Sequence, residues 1–254
     1  MAFWAGSCLG SFVNVLAFRI PREQSFVAPR SRCPHCGKTI AWFDNVPIVS
    51  WFFLLGRCRR CRKPISARYP LVEAACGALA AGLWARWGGQ GYPLWAACCA
   101  AASCLLVAVA LIDWDTFLIP DELSLGLWGG GLLAAPLNPY MGGPWYAAVG
   151  WSAAGSIAGF SMCWATAAIG ERAFGKEAMG GGDIKLLAAV GAWSGALGAF
   201  DCLMVGSMIG AVYGVGQILA KKLKRSDPIP FGPFLSAGAV FNFFWRLPLG
   251  FPFS

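Results

Sequence analysis

Long apolar runs separated by short charged clusters dominate the chain. The runs cover residues 2–20, 70–87, 93–112, 122–137, 144–170, 184–200, 201–220 and 231–250. A bilayer's hydrocarbon core takes about 20 apolar residues of helix. The pattern therefore predicts an all-α polytopic membrane protein with about eight transmembrane helices. Residues 123–170 hold no charge over 48 positions, too many for one span. Pro136, Pro139, Gly142, Gly143 and Pro144 mark the break between two. The sixth and seventh runs meet near Gly198 to Asp201, where a tight turn is expected.

Composition agrees with the pattern. The chain of 254 residues is 57% hydrophobic and 13% charged, with mean hydropathy +0.59. Soluble domains run near 25% charged. An amphipathic surface helix does not explain apolar stretches that recur and are nearly uncharged. The net charge of +8 would raise nucleic-acid binding in a soluble protein. Here the cations are localised, which points to membrane orientation and not to a nucleic-acid partner. With the N-terminus outside and the sides alternating, 18 of the 20 Lys and Arg residues fall inside. They cluster in 19–69, in 171–185 with Arg172, Lys176 and Lys185, and in 221–230 with Lys221, Lys222, Lys224 and Arg225. Only Arg86 and Arg246 fall outside, as the positive-inside rule requires. The first run, Phe3 to Phe18, has no basic residue before it, so it reads as a span and not as a secretory leader.

Three parts follow: a first transmembrane helix at 1–20, a cytoplasmic piece at 21–69, and a transmembrane domain at 70–254. The cytoplasmic piece is too small to bury a large core and needs a staple. Cys33-Pro34-His35-Cys36, 21 residues, and Cys58-Arg59-Arg60-Cys61 supply one. Two such pairs place four thiolates tetrahedrally around Zn²⁺, in a closed site that is structural and not catalytic. A cytoplasmic setting favours metal over disulfides. His35 reads as a bystander, and the neighbouring basic residues can meet anionic headgroups. Cys8, Cys76, Cys98, Cys99, Cys104, Cys163 and Cys202 lie in apolar runs and read as small packing residues.

Acids beside membrane spans are functional candidates by default. The third run ends Leu111-Ile112-Asp113-Trp114-Asp115 and leads to Ile119-Pro120-Asp121. The sixth is entered through Gly180-Gly181-Gly182-Asp183-Ile184-Lys185. The topology puts both clusters at the cytoplasmic face. Facing carboxylates at a low-dielectric boundary share a proton, so one serves as base and the other as acid. That pair can activate a water against a carbonyl. The glycines before Asp183 would let a substrate backbone come close. Plainer readings stand beside this one. Asp121 and Glu122 suit an ordinary helix N-terminus, and Asp115 can bond locally or to a lysine. A cation-conducting transporter could use the same acids, and an assembly protein could use only the cysteine module.

The motifs together resemble the type IV prepilin peptidases, bifunctional leader peptidase/N-methyltransferases of type IV pilus and type II secretion systems. The resemblance rests on Gly10-Ser11-Phe12-Val13-Asn14-Val15, Arg19-Ile20-Pro21, both cysteine pairs and Asp44-Asn45-Val46-Pro47. It continues through Ser50-Trp51, Arg68-Tyr69-Pro70, Glu73, the Asp113 segment through Asp121, and Met179 to Lys185. It spans nearly the whole chain. It implies a GxGD-type aspartic peptidase of the bacterial inner membrane, with Asp113 and Asp183 catalytic. Asp115, Asp121, Gly180, Gly182 and Lys185 are supporting. The implied substrates are prepilins or pseudopilins with a basic leader, and a peptidase-only activity is the alternative. The implied methyl donor is S-adenosylmethionine, for which Asp44, Asn45 and Glu73 are candidates. No Rossmann-type glycine loop is present for it.

Overall fold

The computed structural model describes residues 1–27, 30–174, 179–224 and 227–246. Lys176, Arg225 and the last residues of the eighth predicted span lie outside them. Among the described residues the chain is helical, with no strand beyond two isolated β-bridges. It divides into two compact units, residues 1–108 and 109–254.

In the first unit, α1 (Ala2–Arg19) lies along α3 (Arg68–Trp87). Small residues make the fit. A Cβ on Gly6 would sit 2.5 Å from Ala80 Cβ, and one on Gly77 would collide with the Ser7 hydroxyl. Close backbone approach of this kind is how helices pair where lipid removes any hydrophobic drive between them. The short α2 (Val49–Phe53) and the two cysteine loops lie in the connection between α1 and α3. A long helix, α4 (Pro93–Thr116), begins in this unit and ends in the next.

The second unit contains α5 (Asp121–Ala134), α6 (Trp145–Phe174), α7 (Gly181–Leu219) and α8 (Gly232–Phe244). The helix α7 is broken at Gly195, with φ 73° and ψ −178°. That conformation is essentially reserved for glycine. The carbonyls just before it accept bonds from other segments, as those of a helix C-terminus do. Ser152 Oγ donates to Ala192 O at 2.6 Å, Asn138 Nδ2 to Trp193 O at 2.8 Å, and Arg246 Nη2 to Ser194 O at 3.0 Å. The chain also folds back there. Asp183 interacts electrostatically with Asp113, while the Tyr213 ring packs 5.6 Å from the ring of Trp114. A straight helix would hold positions 183 and 213 about 45 Å apart. The reversal expected between Gly198 and Asp201 therefore falls at Gly195. Gly198 and Asp201 are helical and buried, and Asp201 faces Asn242 across α8, with Nδ2 3.5 Å from Oδ2.

Among the described residues, four helices are long and apolar enough to cross a membrane: Ala2–Arg22, Pro93–Thr116, Trp145–Ala173 and Gly181–Leu219. Gly232–Phe244 is apolar but shorter, and α5 has only 14 residues. The last of the four covers the sixth and seventh expected runs on either side of its reversal at Gly195, while the remaining expected runs form shorter or less apolar helices. Large apolar side chains point outward from these helices, among them Leu133, Ile157, Ile169 and Val212. A lipid-facing surface looks this way, because the bilayer removes the penalty for exposing them.

Candidate functional site

Two buried acids come together in the second unit. Asp113 sits one turn before the end of α4, and Asp183 sits in the first turn of α7; they are 5% and 8% exposed. Phe117 ends α4 by taking a positive φ of 57°, while its N–H still donates to Asp113 O at 2.8 Å. Pro120 is extended and opens α5 at Asp121, as the missing N–H of proline permits. Ile119, between the two helices, packs into the space a side chain on Gly182 would need: a Cβ there would lie 2.9 Å from Ile119 Cβ. That contact brings the start of α7 against the end of α4.

Asp113 is oriented by a backbone donor. The Gly232 N–H gives a 2.8 Å bond to Asp113 Oδ2. Gly232 opens α8, where the first N–H groups have no partner within the helix. A Cβ on Gly232 would stand 2.7 Å from the same oxygen, so the approach requires glycine. Asp183 is held differently. Its own N–H bonds Gly180 O at 3.1 Å, while its buried Oδ1 accepts no hydrogen bond from a described residue. Buried polar atoms are rarely left so outside functional sites. Cys163 and Met179 also lie close to this pair, with Cys163 Sγ 3.0 Å from Met179 Sδ.

The remaining acids differ in environment. Asp115 is exposed on the last turn of α4. Asp121 is exposed and pairs with Lys185, whose Nζ reaches its two oxygens at 2.7 and 2.9 Å. Gly180 and Gly181 face open space, with only Asp183 Oδ2 at 3.6 Å from a Cβ built on Gly180. Gly182 is instead filled by Ile119, so of the three glycines the first two leave room for a neighbouring backbone. Sequence reasoning missed Gly232 as a partner of Asp113. Its signal was the Gly232-Pro233 pair opening an apolar run, which marks a helix start but not what its free N–H meets.

In the first unit, the Sγ atoms of Cys33, Cys36, Cys58 and Cys61 all lie within 4.8 Å of one another. Each pair sits in the same turn, repeated 25 positions apart. Cys33 N–H donates to Lys38 O and Cys58 N–H to Lys63 O, both at 2.9 Å. Gly37 N–H returns to Cys33 O, and Arg62 N–H to Cys58 O, again at 2.9 Å. The bridges Arg32–Thr39 and Arg57–Pro64 close the two loops. A tetrahedral Zn²⁺ with bonds of about 2.3 Å requires sulfurs about 3.8 Å apart, and Cys33 Sγ lies 3.8 Å from Cys61 Sγ. Hydrogen bonds from the N–H groups of Cys61 and Arg60 hold the Cys58 thiol down to about 7, toward the thiolate a metal takes. The Lys63 N–H also pulls on Cys61. Burial and its bonds with the Cys58, Cys33 and Cys36 thiols outweigh that and push it up to about 11. A thiol group that shares protons in this way is suited to exchange them for a cation. The four residues fit a zinc ion.

The donor-site candidates separate. Asp44 is gripped by Arg59, with Nη2–Oδ1 at 2.6 Å and Nε–Oδ2 at 2.8 Å. Asn45 is exposed beside it. Glu73 is buried on α3 and takes the Ile48 N–H at 2.6 Å and a bond from Ser11. The first of these contacts supports the turn at Ile48, which has φ 63°.

Comparison with known proteins joins both units to one group. Residues 4–87 match the bacterial peptidase A24 N-terminal domain, and residues 99–215 match the type IV leader peptidase family. A prepilin leader peptidase/N-methyltransferase of Aeromonas hydrophila is 37% identical, covering 96% of this chain and 90% of that protein. The protein of that name from Burkholderia pseudomallei (strain K96243) is 36% identical over 96% of this chain and 84% of its own. One from Myxococcus xanthus (strain DK1622) is 40% identical over 86% of this chain and 62% of its own. No solved structure matches the chain.

Proposed function

Because the chain belongs to the type IV leader peptidase family, a group of multi-pass membrane enzymes, we propose that it removes the basic leader of type IV prepilins or type II secretion pseudopilins and then methylates the new N-terminus. The observation that carries the peptidase reading is the meeting of Asp113 and Asp183, buried on different helices, with one carboxylate oxygen of Asp183 left without a donor. The two acids divide the work of hydrolysis. One takes a proton from water as the oxygen adds to the scissile carbonyl; the other protonates the carbonyl oxygen. Collapse of the tetrahedral adduct breaks the C–N bond: the amine nitrogen leaves with a proton from the acid that first received one, and an adduct hydroxyl returns its proton to the other acid. The Gly232 N–H keeps Asp113 in place through these steps. Asp115, Asp121, Gly180, Gly182 and Lys185 support the site: the exposed acids by attracting a basic leader, Lys185 through its pair with Asp121, and Gly182 through its contact with Ile119.

The distribution of Lys and Arg supports a cytoplasmic site in the bacterial inner membrane, with the N-terminus outside and the cysteine module inside. A prepilin leader stays on the cytoplasmic side while its apolar helix enters the bilayer, so the bond to be cut lies at that boundary. Zn²⁺ on Cys33, Cys36, Cys58 and Cys61 would staple the module without entering the chemistry. For methylation, bound S-adenosylmethionine would supply an electrophilic methyl group for the freed, deprotonated α-amine. Asp44, Asn45 and Glu73 are the candidates for holding the donor, in or beside the cysteine module.

The test uses Asp113→Asn and Asp183→Asn in purified protein with a prepilin and S-adenosylmethionine, products being weighed by mass spectrometry. Each variant is expected to stay folded and to leave the leader attached. Full processing by either one refutes the assignment.

A further inference from the structure

The cysteine module carries a cleft of its own. It has a volume of about 490 Å³ and is lined by Phe43, Asp44, Val49, Phe53, Arg59 and Arg62, among others. Small-molecule sites run from about 300 to 1,000 Å³. Every lining residue lies between positions 43 and 62, so the cleft is built within the module itself. We propose that this cleft binds S-adenosylmethionine, a proposal that rests on the methyl-transfer reading above.

The lining matches the donor group by group. The donor is a purine nucleoside with a sulfonium cation and an amino-acid tail. Phe43 and Phe53 offer aromatic faces to the purine and to the sulfonium. Phe53 is 84% exposed. Asp44 is fixed by its paired bonds to Arg59, whose guanidinium also lies 5.4 Å from the Phe43 ring. Its free lone pairs can accept from ribose hydroxyls or from the donor's ammonium. Arg62 offers a planar fork for the tail carboxylate.

Arg62 gives the strongest argument. It holds φ at 60°, a conformation that favours glycine, and the equivalent residue of the first cysteine loop is Gly37 with φ 67°. The second loop bears a strained arginine where the first has the relaxed solution. Strain kept in this way marks function more often than accident, and Arg62 lines the cleft. A carboxylate in the lining also argues against this face resting on anionic lipid. Arg59 directly follows Cys58 and Arg62 directly follows Cys61 in sequence, so the second cysteine loop positions two of the cleft's cations. Neither Asn45 nor Glu73 lines it.

The experiment is calorimetric titration of S-adenosylmethionine into the purified full-length protein in detergent, comparing wild type with Arg62→Gly and Phe53→Ala. Zinc content and melting temperature serve as controls for the fold. Arg62→Gly relieves the backbone and Phe53→Ala removes an exposed ring, so both are expected to keep one zinc per chain. Both should bind the donor about tenfold more weakly or worse, as loss of a charged or aromatic contact requires. If Arg62→Gly loses zinc, Phe53→Ala decides alone. Wild-type binding that both variants retain overturns the cleft, leaves methyl transfer standing, and gives the aromatic rim to the membrane surface. No binding by wild type overturns the methyl-transfer reading, and the cleft with it.

Discussion

Gly232→Ala tests whether Asp113 depends on where α8 begins. The added Cβ would lie 2.7 Å from Asp113 Oδ2, 3.1 Å from Asp113 Cγ and 3.1 Å from Ile119 Cδ1. Ordinary contact begins at 3.4 Å, so the carboxylate must retreat by about 0.7 Å, the gap between contact and collision. The retreat stretches the 2.8 Å bond from the Gly232 N–H. A hydrogen bond to a charged group is worth about 1.5–3 kcal/mol, and overpacking costs about 1–3 kcal/mol. A displacement near 1 Å at a reacting group costs about 100-fold in rate. The expected result is a fall in kcat of about 10- to 100-fold with KM little changed, because the leader does not touch this bond.

The assay is initial rates of prepilin cleavage by purified protein, with thermal unfolding measured in parallel. Gly126→Ala is the control, since nothing lies within 4 Å of a Cβ there; it should cleave normally and melt no lower. Adding Ile119→Val to Gly232→Ala removes the Cδ1 contact but not the clash with Asp113. That double variant should regain stability without regaining rate. A Gly232→Ala protein with wild-type kcat, or a rate restored by Ile119→Val, refutes the proposed dependence.

Two further outcomes follow from the geometry. Lys185→Ala removes a pair whose side chains are 54% and 59% exposed, so unfolding free energy should change by no more than about 1 kcal/mol; a larger loss in a denaturation series would mean the pair holds α5 to α7. Gly195→Ala forces a side chain into φ 73° and should cost about 1–3 kcal/mol, together with cleavage, read by thermal unfolding and leader removal; an unchanged melting temperature would show that the reversal sits elsewhere.

The residues of the candidate sites were more legible in the sequence than the architecture. Cysteine spacing exposed the four-cysteine cluster because a closed tetrahedral centre needs two tight turns, and such turns are local. The acids were legible because a charge beside an apolar run is expensive wherever the run ends. The spans were harder. Hydropathy ran on through Gly195 without a mark, since the reversal needs one glycine and no polar loop. Asp201 then drew the expected turn toward itself, although Asn242 and the end of α8 bury it. Helices α5 and α8 have 14 and 13 residues, short of a full crossing, and apolar composition alone does not reveal helix length.

The acids and their supports also differ in how they can be read. Asp113 and Asp183 are side chains, so the sequence names them. What holds Asp113 is a backbone N–H, which every residue but proline owns, and what separates Gly232 from the other glycines is only the tertiary position of α8. The same holds for Gly182, whose missing side chain is meaningful only because Ile119 fills its place. Each support lies at a helix terminus, where N–H and carbonyl groups lack intrahelical partners. A site assembled from the end of α4, the start of α7 and the start of α8 therefore draws its fixed donors from helix ends. Its precision depends on how closely those ends approach, and glycine sets that distance. Substitutions that lengthen or thicken a helix start should accordingly damage this site more than equally large changes in the apolar middle of the same helices.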